Sequence, residues 1–123
     1  MASIENTFRA LADGTRLRIL CLLSSGELCV GDLVDLLEVP QPTASRHLAY
    51  LRGAGLVDTR REGQWAFYSL TKPTKGFGEK LLALLESCRD EQTELRADAR
   101  QAAKLRKSGG CCPAKVNSAG VAR

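Results

Sequence analysis

Apolar residues recur at helical spacing along most of this chain and alternate over one short stretch. Ile4, Phe8 and Leu11 share a face between about Ser3 and Ala12, which predicts a first helix. "ADGTRLRILCLLSSG" predicts a second, with Thr15 as its start, Leu17, Ile19, Leu20 and Leu23 as core, and Gly26 as its stop. A third runs from Val30 to Leu37, turning Leu33, Leu36 and Leu37 inward and placing Asp32 near the positive end of the helix dipole. Pro40 and Pro42 block its continuation and bracket the next start, because proline lacks an amide hydrogen and is tolerated only in a first turn.

The fourth helix is expected from about Gln41 to Ala54, closed by Gly55. Ala44, Leu48 and Leu51 fall at i, i+4 and i+7 and form its inward face. At about 100° per residue, Arg46 points nearly opposite, with Thr43 and Tyr50 beside it and Ser45 and His47 on the flanks. "LVDTRREGQWAFYSL" then alternates around a Glu62-Gly63 turn, as a β-hairpin does. Pro73 precedes a long last helix, from near Phe77 to about Lys107, striped by Leu81, Leu84, Leu85, Cys88, Gln92, Leu95 and Ala99. The chain thus divides into a folded domain over 1–107 and a flexible, cysteine-bearing tail over 108–123, "SGGCCPAKVNSAGVAR".

This order, α-α-α-α-β-β-α, describes a mainly α winged helix-turn-helix. A helix that enters the major groove must bury one face against its own domain. Its N-terminal half must offer hydrogen-bonding groups to base edges and phosphates. Gln41, Thr43, Ser45, Arg46, His47 and Tyr50 are the candidates on the fourth helix, and Arg60 and Arg61 at the hairpin tip are placed to follow the adjacent backbone or minor groove. Taken singly these residues have plainer explanations: Thr43 or Ser45 as a helix cap, His47 as a flank residue, the two arginines as a solvated loop. Taken together, in this order and followed by a hairpin, they favour binding to double-stranded DNA.

Composition narrows the picture. With 123 residues and a net charge of +4, the chain holds one ordinary domain, and the charge permits nucleic-acid binding without demonstrating it. No apolar run approaches the roughly 18 residues of a membrane span, and the N-terminus does not read as a signal peptide, so a cytoplasmic protein with no membrane partner is expected. Its five cysteines (Cys21, Cys29, Cys88, Cys111 and Cys112) are then reduced thiols, ligands or redox sensors, and an odd count suits a closed disulfide framework poorly. There is no C-x-x-C, no glycine-rich phosphate loop and no strand-helix-strand run, which argues against an enzyme.

"RLRILCLLSSGELCVGDL", "QPTASRHLAYLRGAGLV" and "RREGQWAFYSL" together resemble the ArsR family of metal- and metalloid-sensing repressors, in particular its arsenical-resistance branch. The resemblance covers about Phe8 to Leu70. It implies a homodimer, joined through the first and last helices, that occupies a near-palindromic operator. Such a repressor leaves the operator when As(III) or Sb(III) binds cysteine thiolates, and no catalytic cofactor is implied. One departure matters: the branch commonly has "ELCVCDL", whereas this chain keeps Cys29 and has Gly31 at the second cysteine position. A zinc site on the last helix, known in the family, also looks absent, since the sole histidine is His47.

Soft thiolates suit a thiophilic ion, and As(III) favours three sulfurs. Cys111 and Cys112 in "GGCCP" offer two, behind Lys104, Arg106 and Lys107, whose charges favour thiolate over thiol. Incidental cysteines in a disordered end are the plainer alternative. The third sulfur is expected from Cys29 or Cys88. An unbroken helix from Cys88 to Lys107 would span about 28 Å, while the linker to Cys111 reaches only about 14 Å. Either the helix ends early, near Arg96, or the third ligand comes from the partner subunit. Cys21 reads as core. A rival signal on the same fold is persulfide or oxidant sensing through Cys21 and Cys88, to which similar pairs in the family are devoted.

Overall fold

Asp13 sets the first junction. Its extended backbone separates α1 (Ala2–Leu11) from α2 (Gly14–Leu23), and its carboxylate accepts the Arg16 amide hydrogen at 3.0 Å. The helix therefore starts ahead of the expected Thr15, because an aspartate cap outcompetes the later threonine. The computed structural model describes residues 2–73 and 75–109, so Cys111, Cys112 and nearly all of the expected tail lie outside the described residues. Beyond α2 follow β1 (Leu28–Cys29), α3 (Val30–Leu37), α4 (Gln41–Gly53), β2 (Val57–Glu62), β3 (Trp65–Leu70), α5 (Phe77–Glu91) and α6 (Thr93–Lys107).

The three strands form an antiparallel sheet in the order β1-β3-β2. β1 was not expected, since two residues carry no readable alternation; it sets Leu28 opposite Tyr68 and Cys29 opposite Phe67. The hairpin forms as predicted but turns one residue later. Glu62 pairs with Trp65, so Gly63 and Gln64 make the bend, and Gly63 takes the positive φ of 62° that such turns require.

Ile19 and Leu20 from α2, Leu33 from α3, Leu48 and Leu51 from α4, and Val57 from β2 meet in one fully buried core. Leu17 and Leu36, expected inside, pack only on its margin. Between α3 and α4 the chain reverses through Glu38, whose left-handed backbone (φ 56°) ends α3 and leads into Val39-Pro40. No helix among the described residues is long and apolar enough to cross a membrane.

The last helix is the main correction. It is not continuous from Phe77 to Lys107: Gln92 is extended (φ −90°, ψ 129°) and divides it into α5 and α6. The break, four residues before the Arg96 considered from sequence, lets α6 fold back along α2 and α3. There Leu95 and Ala102 are buried, whereas Leu84 of α5 stays outside, 51% exposed. Asp98 also turns inward and receives a two-pronged bond from Arg18, Nε at 2.9 Å and Nη2 at 3.0 Å. The same guanidinium leans on the carbonyls of Leu36 and Leu37 at the end of α3, each at 3.4 Å. One arginine thus ties α2, α3 and α6 together. Asp98→Asn is expected to destabilise the protein by about 1–3 kcal/mol, the scale of a charge-assisted hydrogen bond. Chemical denaturation measures it, and an unchanged midpoint would show that α6 is held by its apolar face alone.

Candidate DNA interface and sulfur groups

Pro40 is the extended residue just ahead of α4 and provides no side-chain cap; the amides of Thr43 and Ala44 donate to its carbonyl at 3.0 and 3.1 Å. Neither Thr43 nor Ser45 is therefore the cap of this helix. Ala44, Leu48 and Leu51 are wholly buried, as the spacing predicted. That leaves Gln41, Ser45, Arg46 and Tyr50 exposed and Thr43 and His47 half-buried on the outer side. The polar candidates share one surface because the apolar stripe uses up the other.

Arg16, which sequence inspection passed over, braces this surface. Its guanidinium lies 4.1 Å over the Tyr50 ring, and its Nε and Nη2 donate to the Ala10 and Arg9 carbonyls at 2.9 and 3.1 Å. The arginine so joins the end of α1 to the outer side of α4, a stacking contact of about 0.5–1 kcal/mol where exposed. His47 stands close enough to Asp13 for its charge to be felt. The Arg16 amide is the chief reason that the Asp13 carboxyl sits below its ordinary range, and the His47 and Arg16 charges add to it.

On the hairpin the two arginines part company. Strand alternation sends them to opposite faces. Arg60 is clamped by Glu27 through two bonds of 2.8 Å, touches Glu62 at 3.4 Å and stacks 4.5 Å over Phe67. Arg61 is exposed, with no ion pair among the described residues. Both precede the Gly63-Gln64 tip.

The cysteines form separate groups. Cys21 is 1% exposed, donates its S–H to the Leu85 carbonyl at 3.7 Å, and neighbours the half-buried Cys88 closely enough to feel its charge; both are free thiols. Burial pushes the Cys21 thiol up to about 12, and Cys88 adds to the shift. Cys29 lies elsewhere, fully buried under Phe67 and Trp65. It caps α3, its Sγ accepting the Asp32 amide hydrogen at 3.4 Å. No group of three metal-ligating side chains gathers among the described residues.

Residues 13–59 match the family described as "Bacterial regulatory protein, arsR family". Over 103 residues the chain is 44% identical to the arsenical resistance operon repressor of Escherichia coli K12, covering 83% of this chain and 86% of that one. The chain belongs to the ArsR family. Among solved structures, reduced HlyU from Vibrio cholerae superposes with a TM-score of 0.65 at 38% identity, over 75% of this chain and 90% of that one. A homodimeric winged helix-turn-helix DNA-binding domain from Mycobacterium bovis, a possible ArsR-family regulator, does so at 0.62 and 34% identity, over 73% and 81%. This ArsR-family protein is accordingly a winged helix-turn-helix transcriptional repressor and not an enzyme.

The ArsR-family fold keeps Cys21 as a neutral thiol, which is a poor nucleophile. In the folded protein an alkylating reagent at pH 8 is expected to label Cys21 far more slowly than Cys88, and equally after denaturation; peptide mass spectrometry reads both. Folded Cys21 also holds its proton up to about 12, against 9.0 for an unperturbed thiol, so the folded state should lose stability as pH rises through that interval. Equal labelling rates in the native state would contradict this placement.

Proposed function

We propose that this repressor works in the cytoplasm as a homodimer on a near-palindromic operator of arsenic-resistance genes, and leaves it when As(III) or Sb(III) binds cysteine thiolates. The observation that carries the DNA half is the outer face of α4. Gln41, Thr43, Ser45, Arg46, His47 and Tyr50 stand together on a helix whose opposite stripe is wholly buried. Arg46, exposed at the centre, reads a base edge or phosphate. Arg61 follows the DNA backbone from the hairpin, while Arg60, its charge held by Glu27 and Glu62, stiffens the strand beside it.

Dimerisation is supported by the apolar residues left outside. Ile4 and Phe8 of α1 are 43% and 54% exposed, and Phe77 and Leu84 of α5 are 42% and 51% exposed. Phe8 and Phe77 meet edge to face at 6.1 Å, and a groove of about 670 Å³ opens between these helices and the body. The expected pairing of first and last helices becomes one of α1 with α5, because α6 is packed on its own domain. The M. bovis domain is itself homodimeric.

The inducer assignment rests on likeness to the E. coli arsenical repressor and on the sulfur chemistry of Cys111 and Cys112, with Cys29 or Cys88 as third ligand. A second reading has one specific observation in its favour. Cys21 and Cys88 are neighbouring free thiols in a fold close to that of reduced HlyU, as a sensor of persulfide or oxidant would need.

Arg46→Ala is expected to weaken operator binding about tenfold or more, the scale of one good base contact; gel-shift titration with promoter DNA against random DNA reads it. The operator complex is then titrated with arsenite, antimonite and zinc. Arsenite should release wild type and spare the Cys111→Ser/Cys112→Ser protein. Release by zinc but not arsenite would sink the inducer assignment, and loss of response in Cys21→Ser or Cys88→Ser alone would favour the redox reading.

A further inference from the structure

Arg16 stands where three helices come together. Its amide donates to the Asp13 carboxylate at 3.0 Å, which fixes the residue in the first turn of α2. From there the side chain runs back to α1: Nε donates to the Ala10 carbonyl at 2.9 Å and Nη2 to the Arg9 carbonyl at 3.1 Å. The last carbonyls of a helix lack intrahelical donors and form the negative end of its dipole, so an arginine fork suits them twice over. Phe8, one of the exposed apolar residues of α1, directly precedes these two in the chain.

The same guanidinium covers the ring of Tyr50, with Cζ 4.1 Å from the ring centroid. Tyr50 is exposed on the outer side of α4, and Arg46 lies one turn before it on that side. Through its inner side α4 packs on α2, and α2 packs on α1. The buried stripe of Ala44, Leu48 and Leu51 resists rotation of α4 about its own axis. Support from the opposite side resists tilting, and Arg16 supplies it from α1.

A helix-turn-helix dimer reads two half-sites, so the separation and angle of its two recognition helices must match the DNA. One base pair added between half-sites moves them apart by about 3.4 Å and turns one against the other by about 34–36°. If α1 lies in the dimer face, a tie from α1 to α4 sets the tilt of each recognition helix relative to the two-fold axis.

We infer that Arg16 is a specificity-determining positioning residue: by fastening Tyr50 to the end of α1, it sets the half-site spacing that the dimer accepts. This rests on the reading that the dimer meets through α1 and α5 and reads DNA with α4.

The test uses full-length protein and a duplex that it selects from a random library. The same duplex is also made one central base pair longer and one shorter, and fluorescence anisotropy reads the affinity for all three. Wild type should prefer the selected spacing at least about tenfold; equal affinity for the three would overturn the proposal. Arg16→Ala and Tyr50→Leu should each narrow that preference about two- to fivefold, the size of one exposed stack of cation on ring. The double variant should narrow it no further than either alone, because both remove the same contact. Tyr50→Leu leaves the bonds of Arg16 to α1 in place, so it decides the matter even if circular dichroism shows Arg16→Ala to be unfolded. Tyr50→Phe keeps the ring and should keep the wild-type preference, whatever becomes of overall affinity. A preference narrowed as far as in Tyr50→Leu would give the effect to the hydroxyl and overturn the proposal. A fall in affinity shared equally by the three duplexes would leave Arg16 a structural role alone. If sedimentation shows a monomer, or the selected duplex binds no better than random DNA, the underlying reading fails and takes the proposal with it. If a dimer binds and Arg46→Ala weakens it, but spacing preference is untouched in Arg16→Ala and Tyr50→Leu, only the present proposal fails.

Discussion

Burial of Ala44, Leu48 and Leu51 is the constraint on which the polar outer surface of α4 depends. A helix has one circumference, and fixing one stripe of it against α2 and α3 fixes what the other side can offer. Losing a buried leucine to alanine typically costs about 2–5 kcal/mol, so α4 cannot roll about its axis at low cost. Arg46 and its neighbours are held in place by residues that never meet solvent. Arg16 adds a brace from the outer side by stacking on Tyr50 while holding the end of α1.

Much of this was legible from spacing. Periodicity located α3 from Val30 to Leu37 and gave α4 its start at Gln41. It also named the three α4 residues that are fully buried. What spacing does not carry is a strand of two residues, and β1 escaped for that reason. The break at Gln92 escaped for another. Leu81, Leu85, Cys88, Gln92, Leu95 and Ala99 keep helical phase straight through it, and nothing in that stripe announces an extended residue. The kink is set by tertiary contacts: α6 gains the bond of Asp98 to Arg18 and the burial of Leu95 and Ala102 only by turning back.

Charge was legible as charge and not as pairing. Arg60 and Arg61 look alike in sequence, yet Glu27, 33 residues earlier than Arg60, captures one of them. Arg106 reads as one of several tail-proximal cations. Its carbonyl partners, Leu22 and Gly26, are some 80 residues away, and no local rule points to them. Cys21 was read correctly as core, and the sulfurs of the described residues divide accordingly between a neighbouring pair, buried Cys21 with half-buried Cys88, and Cys29 at a helix start.

The clamp of Glu27 on Arg60 gives the hairpin a mechanical connection to the loop before β1. Glu27, Leu28 and Cys29 are consecutive; Leu28 and Cys29 are stitched to β3, and Phe67 of β3 lies beneath the Arg60 guanidinium. A tug on that loop therefore has two rigid exits, one through α3 into α4 and one through the sheet into the wing. Helix α4 and the hairpin beside it would shift in concert, as two fingers driven by a single tendon.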